Sequence, residues 1–110
     1  MTDTRRNLGA WGEEVAAAAL RRWGVTILAR NQRHGRGEID LVGRIGRRRT
    51  VIEVRTVQGA VDFERCFPAA KRKQLRELAG RAGISRVDLV VVAVSADRLE
   101  IHWLRDVPID

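Results

Sequence analysis

The sequence contains little cysteine, histidine and aromatic residue, and it has no long apolar run. Of its 110 residues, one is cysteine, two are histidine and none is tyrosine. Cys66 has no second cysteine to pair with inside the chain, so neither an intrachain disulfide nor a cysteine-based zinc site is expected. No apolar stretch approaches the roughly 20 residues of a membrane helix, and residues 1–14 lack the apolar core of a signal peptide. We therefore expect a cytoplasmic protein that does not contact membranes.

The sequence is rich in positive charge. Lys and Arg total 21 against 14 Asp and Glu, which gives a net charge of +7, and all but two of the cations are arginine. Such an excess favours a polyanionic partner, with nucleic acid first, although an arginine-rich composition without such a partner is the alternative. With 45% hydrophobic residues, the length fits one domain over residues 1–110.

Two segments have the periodicity of helices. In residues 5–23 the apolar residues that recur at helical spacing predict an inward-facing stripe. Its members are Leu8, Trp11, Val15, Ala19 and Trp23. Residues 67–83 form a second predicted helix, in which Pro68 suits the first turn and Leu75 and Leu78 face inward.

Five segments are typical of strands, and the rest reads as loops. The predicted strands cover 25–31, 38–45, 50–56, 86–94 and 98–104, with loops at 31–37 and 57–65. Segment 86–94 is almost continuously apolar, which indicates a strand buried on both faces. The order α-β-β-β-α-β-β predicts an α/β fold with one mixed sheet and a helix on each face.

The second and third predicted strands form a hairpin that carries acidic residues. Strand residues two apart share a face, so Glu38 and Asp40 are expected to point to one side, with Ile39 and Leu41 on the other. The hairpin lays Asp40 beside the next strand, where Glu53 becomes its neighbour in one of the registers that the sequence allows.

In that next strand, Glu53 and Arg55 share a face, opposite Ile52 and Val54. Two carboxylates held close together repel one another unless a cation lies between them. A hard divalent ion such as Mg²⁺ is bound by one or two carboxylates together with waters and substrate phosphate. Arg55 would then stabilise charge that develops on a phosphorus centre. The alternative is a solvated sheet face with cross-strand ion pairs.

Several stretches together resemble a known family. They are GAWGEEVAAAAL (9–20), RGEIDLV (36–42), VIEVRT (51–56), KRKQLRELA (71–79) and RVDLVVV (86–92). The pattern of ExD on one strand and ExR on the next resembles the PD-(D/E)XK nuclease motif, and the full set resembles the YraN family of small bacterial proteins, related by motif to archaeal Holliday-junction resolvases. The specific pieces are GEIDL and EVR.

This resemblance implies a restriction-endonuclease-like fold and a metal-dependent DNA endonuclease that uses Mg²⁺ or Mn²⁺. It implies that Asp40, Glu53 and the backbone carbonyl of Val54 bind the metal, and that Glu13 is a third acidic contributor. On a helical wheel Glu13 lies at the edge of the apolar arc, from which it can reach the sheet. Glu38 is expected to support the site without binding the metal itself.

The chain departs from the nuclease motif at its last position, where Arg55 stands in place of the usual lysine. Arginine effectively cannot lose its proton, so Arg55 would orient water or stabilise the transition state and would not act as a general base. A metal ion can acidify the attacking water without such a base. The departure therefore keeps a second hypothesis open, that of a non-catalytic nucleic-acid-binding module on a nuclease fold.

Two basic clusters are predicted to contact the phosphate backbone of DNA. One is Arg47, Arg48 and Arg49 at the hairpin tip, and the other is Lys71, Arg72, Lys73 and Arg76 on the second helix. Solvated charged faces are the alternative. The resemblance to resolvases also favours branched DNA as substrate. Related resolvases pair two active sites, so a homodimer is one of the oligomeric states that the sequence leaves open. A third hypothesis is a protein-interaction subunit whose basic face meets an acidic partner.

Overall fold

The computed structural model describes residues 4–108, which form five strands and three helices. The elements in chain order are α1 (Thr4–Arg22), β1 (Thr26–His34), β2 (Gly37–Ile45), β3 (Arg48–Gln58), α2 (Phe63–Cys66), α3 (Ala69–Arg81), β4 (Val87–Val94) and β5 (Leu99–Leu104). The strands form one sheet in the order β1-β2-β3-β4-β5, in which only β3 and β4 run parallel. The predicted α/β class, mixed sheet and element order are confirmed. None of the helices in the described part of the chain is long and apolar enough to cross a membrane.

Helix α1 covers one face of the sheet with small residues. Ala16, Ala17 and Leu20 are fully buried and pack with Leu41 and Ile52 of the sheet, among others. Small side chains allow the helix axis to approach the strands closely.

The prediction that Trp11 and Trp23 belong to the inward-facing stripe of this helix is wrong. Trp11 is 42% exposed and Trp23 is 48% exposed. Trp23 instead stacks on Trp103 of β5, with ring centroids 5.7 Å apart, and Arg105 lies over the Trp103 ring. The bulky indoles would hold α1 away from the sheet, so alanines take the inward positions.

Helix α3 covers the other face, as predicted. Its buried residues are Leu75, Leu78 and Ala79, which pack in one cluster with Ile39, Val51, Leu89 and Val91 of the sheet. Strand β4 lies between β3 and β5, and all of its residues but Val94 are buried. The burial on both faces that the sequence predicted for this strand is confirmed.

The two predicted loops are shorter than expected. Strand β1 continues to His34, and only residues 35–36 turn before β2 begins. Strand β3 continues to Gln58, and the short helix α2 begins within the predicted loop 57–65 and ends at Cys66. Asp62 caps the start of that helix, and its side chain accepts hydrogen bonds from the backbone N–H groups of Glu64 and Arg65. An aspartate cap of this kind satisfies donors that a helix start leaves free.

The alternation predicted for β2 fails at one point. Ile39 packs in the cluster under α3, whereas Leu41 packs in the cluster under α1, so the two do not share a face. The ladder between β2 and β3 ends at the pair Leu41↔Ile52. Beyond this pair β2 is no longer held flat against β3, and the strand changes its facing at Asp40. Strand β3 keeps its alternation, with Val51 on one face and Ile52 on the other.

A buried ion pair fixes the end of the described chain. Asp88 is fully buried and accepts hydrogen bonds from Arg86, Thr50, the indole of Trp103 and the backbone of Asp106. Burial alone would raise the pKa of Asp88, but these hydrogen bonds outweigh burial and lower it. This complete set of partners indicates a structural role for Asp88.

Candidate functional site

A cavity of about 820 Å³ opens where β2 separates from β3. It is lined by residues of α1, β2, β3, α2 and α3. The four acidic residues that the sequence singles out all line it, namely Glu13, Glu38, Asp40 and Glu53. Residues that are up to 40 positions apart in sequence thus meet in one place.

Asp40 lies at the end of the β2–β3 ladder. The register that pairs Leu41 with Ile52 places Asp40 opposite Glu53 at the next position. Because the ladder has ended, the N–H of Val54 is not used by β2, and it donates instead to Oδ2 of Asp40 at 2.9 Å. The strand separation that interrupts the alternation of β2 is therefore also what turns this carboxylate toward β3.

Crowding of the two carboxylates disfavours their full ionisation. Burial raises the pKa of Asp40 from 3.8 to about 7, and the charge of Glu53 and a hydrogen bond to Glu53 act in the same direction. The hydrogen bond from the N–H of Val54 opposes this increase only in part. Glu53 itself is only 3% exposed. A site that concentrates negative charge in this way, away from water, favours a cation as its occupant.

Two cations approach Glu53 from different elements. Nζ of Lys71 lies 3.7 Å from Oε2 of Glu53, and Nε of Arg55 lies 4.0 Å from the same oxygen. Nε of Arg55 also donates to the backbone carbonyl of Cys66 at 2.9 Å. Arg55 is thus held by α2, while Lys71 reaches the site from the first turn of α3.

Lys71 has a different surrounding from the one that the sequence suggests. The sequence prediction groups Lys71 with Arg72, Lys73 and Arg76 as surface cations that contact DNA. In the structure it is half-buried beside Glu53, whereas Lys73 and Arg76 are exposed. The helical spacing alone did not show this, because the approach depends on where α3 begins relative to β3.

Glu13 and Glu38 are joined by a residue that the sequence reading missed. Nδ2 of Asn31 in β1 donates to Oε1 of Glu13 at 2.8 Å and to Oε1 of Glu38 at 2.7 Å. Burial raises the pKa of Glu13 above 4.5, an effect that the hydrogen bond from Asn31 partly offsets. The only local signal for Asn31 is its residue type, since asparagine is rare within strands.

The donor set suits a hard divalent cation. Within residues 4–108, no three acidic, histidine or cysteine side chains come close enough to form a complete protein-only metal cage. Mg²⁺ does not require such a cage, since it is usually held by one or two carboxylates together with waters and a substrate phosphate. The paired oxygens of Asp40 and Glu53 fit this mode of binding.

The hairpin cluster of Arg47, Arg48 and Arg49 lies away from the carboxylates. Arg47 is six residues from Glu53 along β3 and the hairpin turn, roughly 20 Å at the rise of an extended strand. Nη2 of Arg49 donates to the carbonyl of Gly83, just beyond the C-terminal end of α3. Of the predicted DNA-binding cations, the structure therefore brings only Lys71 into the cavity, where Arg36 and Arg65 also lie.

Comparison with known proteins connects the chain to one family. Residues 12–92 match the model of a family described as "Uncharacterised protein family UPF0102". A protein of Chloroflexus aurantiacus is 54% identical over 79 residues, which are 72% of this chain and 65% of that protein. One of Syntrophotalea carbinolica is 42% identical over 72% of this chain and 66% of its own length. One of Moorella thermoacetica is 44% identical over 91% of this chain and 90% of its own length.

Each of these relatives is described as a UPF0102 protein. In the first two, the match spans slightly less than two thirds of the relative's own length. The family match over residues 12–92 includes every acidic residue of the cavity named above.

Proposed function

This chain belongs to the UPF0102 family, the family of YraN, and from the geometry of its cavity we propose that it is a metal-dependent DNA endonuclease. The family membership confirms the resemblance of the sequence to the YraN family. The resemblance to PD-(D/E)XK nucleases supports the proposal. The observation that carries the proposal is the juxtaposition of Asp40 and Glu53 in a cavity that also contains cations. Carboxylates that hold a divalent ion, next to cations that bind phosphate, are the groups that phosphodiester hydrolysis requires.

In this proposal Asp40 and Glu53 hold Mg²⁺ or Mn²⁺, with the backbone carbonyl of Val54 as a further oxygen ligand. When bound, such an ion supplies Lewis-acid polarisation of the phosphate and lowers the pKa of a bound water. Glu38 supports the acidic side of the cavity through its hydrogen bond to Asn31.

The remaining roles belong to side chains on the wall of the cavity. Arg55, held by the carbonyl of Cys66, and Lys71 are placed to contact oxygens of the reacting phosphate, where they stabilise charge that develops in the transition state. Glu13 is the carboxylate available to take a proton from the attacking water, because burial makes it more basic than an ordinary glutamate. The oxygen of the water bonds to phosphorus as the phosphodiester P–O bond breaks. The leaving oxygen takes a proton from solvent, so the products are a phosphate monoester and a hydroxyl group.

DNA binding outside the cavity is assigned to the basic surface. The exposed cations of α3, together with Arg36 and Arg65 at the cavity, are proposed to contact phosphates on either side of the cleaved bond. Arg47 at the hairpin tip lies roughly 20 Å from Glu53 at the rise of an extended strand, about the length of six base pairs of duplex. Branched DNA is favoured as substrate by the resemblance to resolvases.

The direct test is cleavage of labelled linear, flapped and four-way DNA by the purified protein with Mg²⁺ or Mn²⁺. An Asp40→Ala protein, expressed and purified in parallel, controls for contaminating nucleases. We expect metal-dependent cleavage by the wild-type protein and at least a 100-fold loss in the variant, since metal ligands are needed for the reaction. Absence of cleavage on every substrate, or equal cleavage by the variant, would contradict the proposal.

A second candidate function is DNA binding without catalysis, and the arginine at position 55 favours it. Arg55 cannot act as a base, and its Nε is already engaged with Cys66. In this case binding would depend strongly on salt, and Asp40→Ala would leave binding unchanged or tighten it while no cleavage occurs. Binding and cleavage measured on the same preparation separate the two functions.

A further inference from the structure

Asn31 has a backbone conformation that is unusual for its position. It lies within β1, yet its φ is 50°, in the left-handed region that non-glycine residues seldom occupy. The only other non-glycine residue with positive φ in residues 4–108 is Asp106. Glycine would adopt this conformation without strain, so the backbone requirement alone does not explain why an asparagine is used.

The side chain of Asn31 supplies the explanation, because it joins two other elements. One amide group donates to Oε1 of Glu13 in α1 and to Oε1 of Glu38 in β2, at 2.8 and 2.7 Å. An amide nitrogen has two hydrogens, so both are used and each carboxylate receives one. Carboxylates accept but do not donate when ionised, which fixes the orientation of the amide.

The position of Asn31 in the sheet connects it with Asp40. The β1–β2 register pairs Arg30 with Leu41 and Gln32 with Ile39, so Asn31 lies opposite Asp40. This is the point at which β2 changes its facing, with Ile39 and Leu41 in different core clusters. The left-handed residue of β1 and the irregular residue of β2 therefore occupy one register position.

We infer that Asn31 is a positioning residue, which uses its amide to hold Glu13 and Glu38 together at the edge of the cavity beside Asp40. It acts through these carboxylates and does not itself contact substrate, so the inference rests on the proposed function for its catalytic consequence. Its structural content, a single amide that links α1, β1 and β2, does not depend on that function.

Three variants separate the amide from the backbone. Asn31→Gly keeps the left-handed conformation and removes the amide. Asn31→Ala removes both, and Gln32→Ala alters an exposed neighbour in the same strand. If only the backbone conformation matters, Asn31→Gly will behave like the wild-type protein.

Nuclear magnetic resonance of the side-chain amides tests the link without any need for activity. The chain has one other asparagine, Asn7, which is exposed and serves as an internal reference. We expect the amide protons of Asn31 to exchange with solvent at least 10-fold more slowly than those of Asn7, and to lose this protection in Glu13→Ala or Glu38→Ala. Exchange at the rate of Asn7 in the wild-type protein would overturn the inference.

Cleavage kinetics test the consequence. Under single-turnover conditions we expect Asn31→Gly to lower the rate about 10- to 100-fold, the usual effect of removing a partner that orients catalytic or metal-binding groups, while Gln32→Ala leaves it unchanged. Glu13→Gln should lower the rate less in the Asn31→Gly background than in the wild-type background, because coupled residues are not additive. A wild-type rate in Asn31→Gly, or additive effects, would refute the positioning role. If the wild-type protein cleaves nothing, the proposed function fails, and the amide-exchange result still decides whether the link exists.

Discussion

The metal-free wild-type protein should become less stable as pH rises, and Asp40→Asn should abolish this pH dependence. In the folded protein, burial and the neighbouring Glu53 raise the pKa of Asp40 from 3.8 to about 7. The folded state therefore binds a proton more tightly than the unfolded chain does. Between about pH 4 and pH 7 the unfolded state holds fewer protons than the folded state, so the free energy of unfolding falls as pH rises through this range.

The size of the effect follows from the difference in pKa. Each pKa unit corresponds to about 1.4 kcal/mol, so a difference of about 3 units gives an upper limit of about 4 kcal/mol at pH 8. Asparagine carries no charge at any of these pH values and keeps an oxygen that can accept from the N–H of Val54. We therefore expect the stability advantage of Asp40→Asn over the wild-type protein to grow as pH rises from 5 to 8, and to reach about 1–3 kcal/mol at pH 8.

The assay is urea unfolding followed by tryptophan fluorescence at pH 5, 6, 7 and 8 with a chelator present. Glu77→Gln, which changes an exposed carboxylate of α3, is the matched control and should show no such trend. The reasoning is refuted if Asp40→Asn shows the same pH dependence as the wild-type protein, or if it is the less stable of the two at pH 8.

Four further substitutions have clear expected outcomes. Gly12→Ala should destabilise the protein by about 1–3 kcal/mol in thermal unfolding, because the new Cβ would overlap Oγ1 of Thr56 and lie 3.0 Å from its Cβ. Gly9→Ala in the same helix meets no atom within 4 Å and should stabilise the protein by up to about 1 kcal/mol. Equal effects of the two substitutions would contradict the close packing of α1. Asp88→Asn should lower stability by about 3 kcal/mol in urea, because it leaves a buried arginine without its charged partner, and a change below about 1 kcal/mol would count against that ion pair. Lys71→Met should lower single-turnover cleavage at least 10-fold while Mn²⁺ binds no more weakly, and an unchanged rate would exclude a role in phosphate contact.

Much of the candidate site was predictable because strand periodicity constrains it. Alternation in β3 correctly placed Ile52 and Val54 on one face, where both pack in the cluster under α1. The hairpin then left few registers, one of which brings Asp40 to Glu53. What the alternation could not show is the separation of β2 from β3 at Asp40, since it depends on where the ladder ends and not on the residues within it.

The failures have a common physical origin in tertiary packing. The apolar stripe of α1 was assigned from its largest side chains, but close approach to the sheet selects Ala16 and Ala17 and leaves Trp11 at the surface. Lys71 and Asn31 reach the site only through the relative placement of helices and strands. No spacing rule along the chain encodes contacts between residues 18 or more positions apart, such as Lys71 with Glu53 or Asn31 with Glu13.

The central claim is that Asp40 and Glu53 hold a divalent cation beside bound DNA. Electron paramagnetic resonance of Mn²⁺ tests it directly, with a short duplex whose phosphorothioate linkages resist cleavage and with Glu77→Gln as the control variant. We predict that the wild-type protein and the control both bind Mn²⁺ at this site. In Asp40→Asn the dissociation constant for Mn²⁺ should be at least 10-fold larger. Equal Mn²⁺ binding by the wild-type protein and Asp40→Asn, at matched DNA occupancy, would contradict the claim.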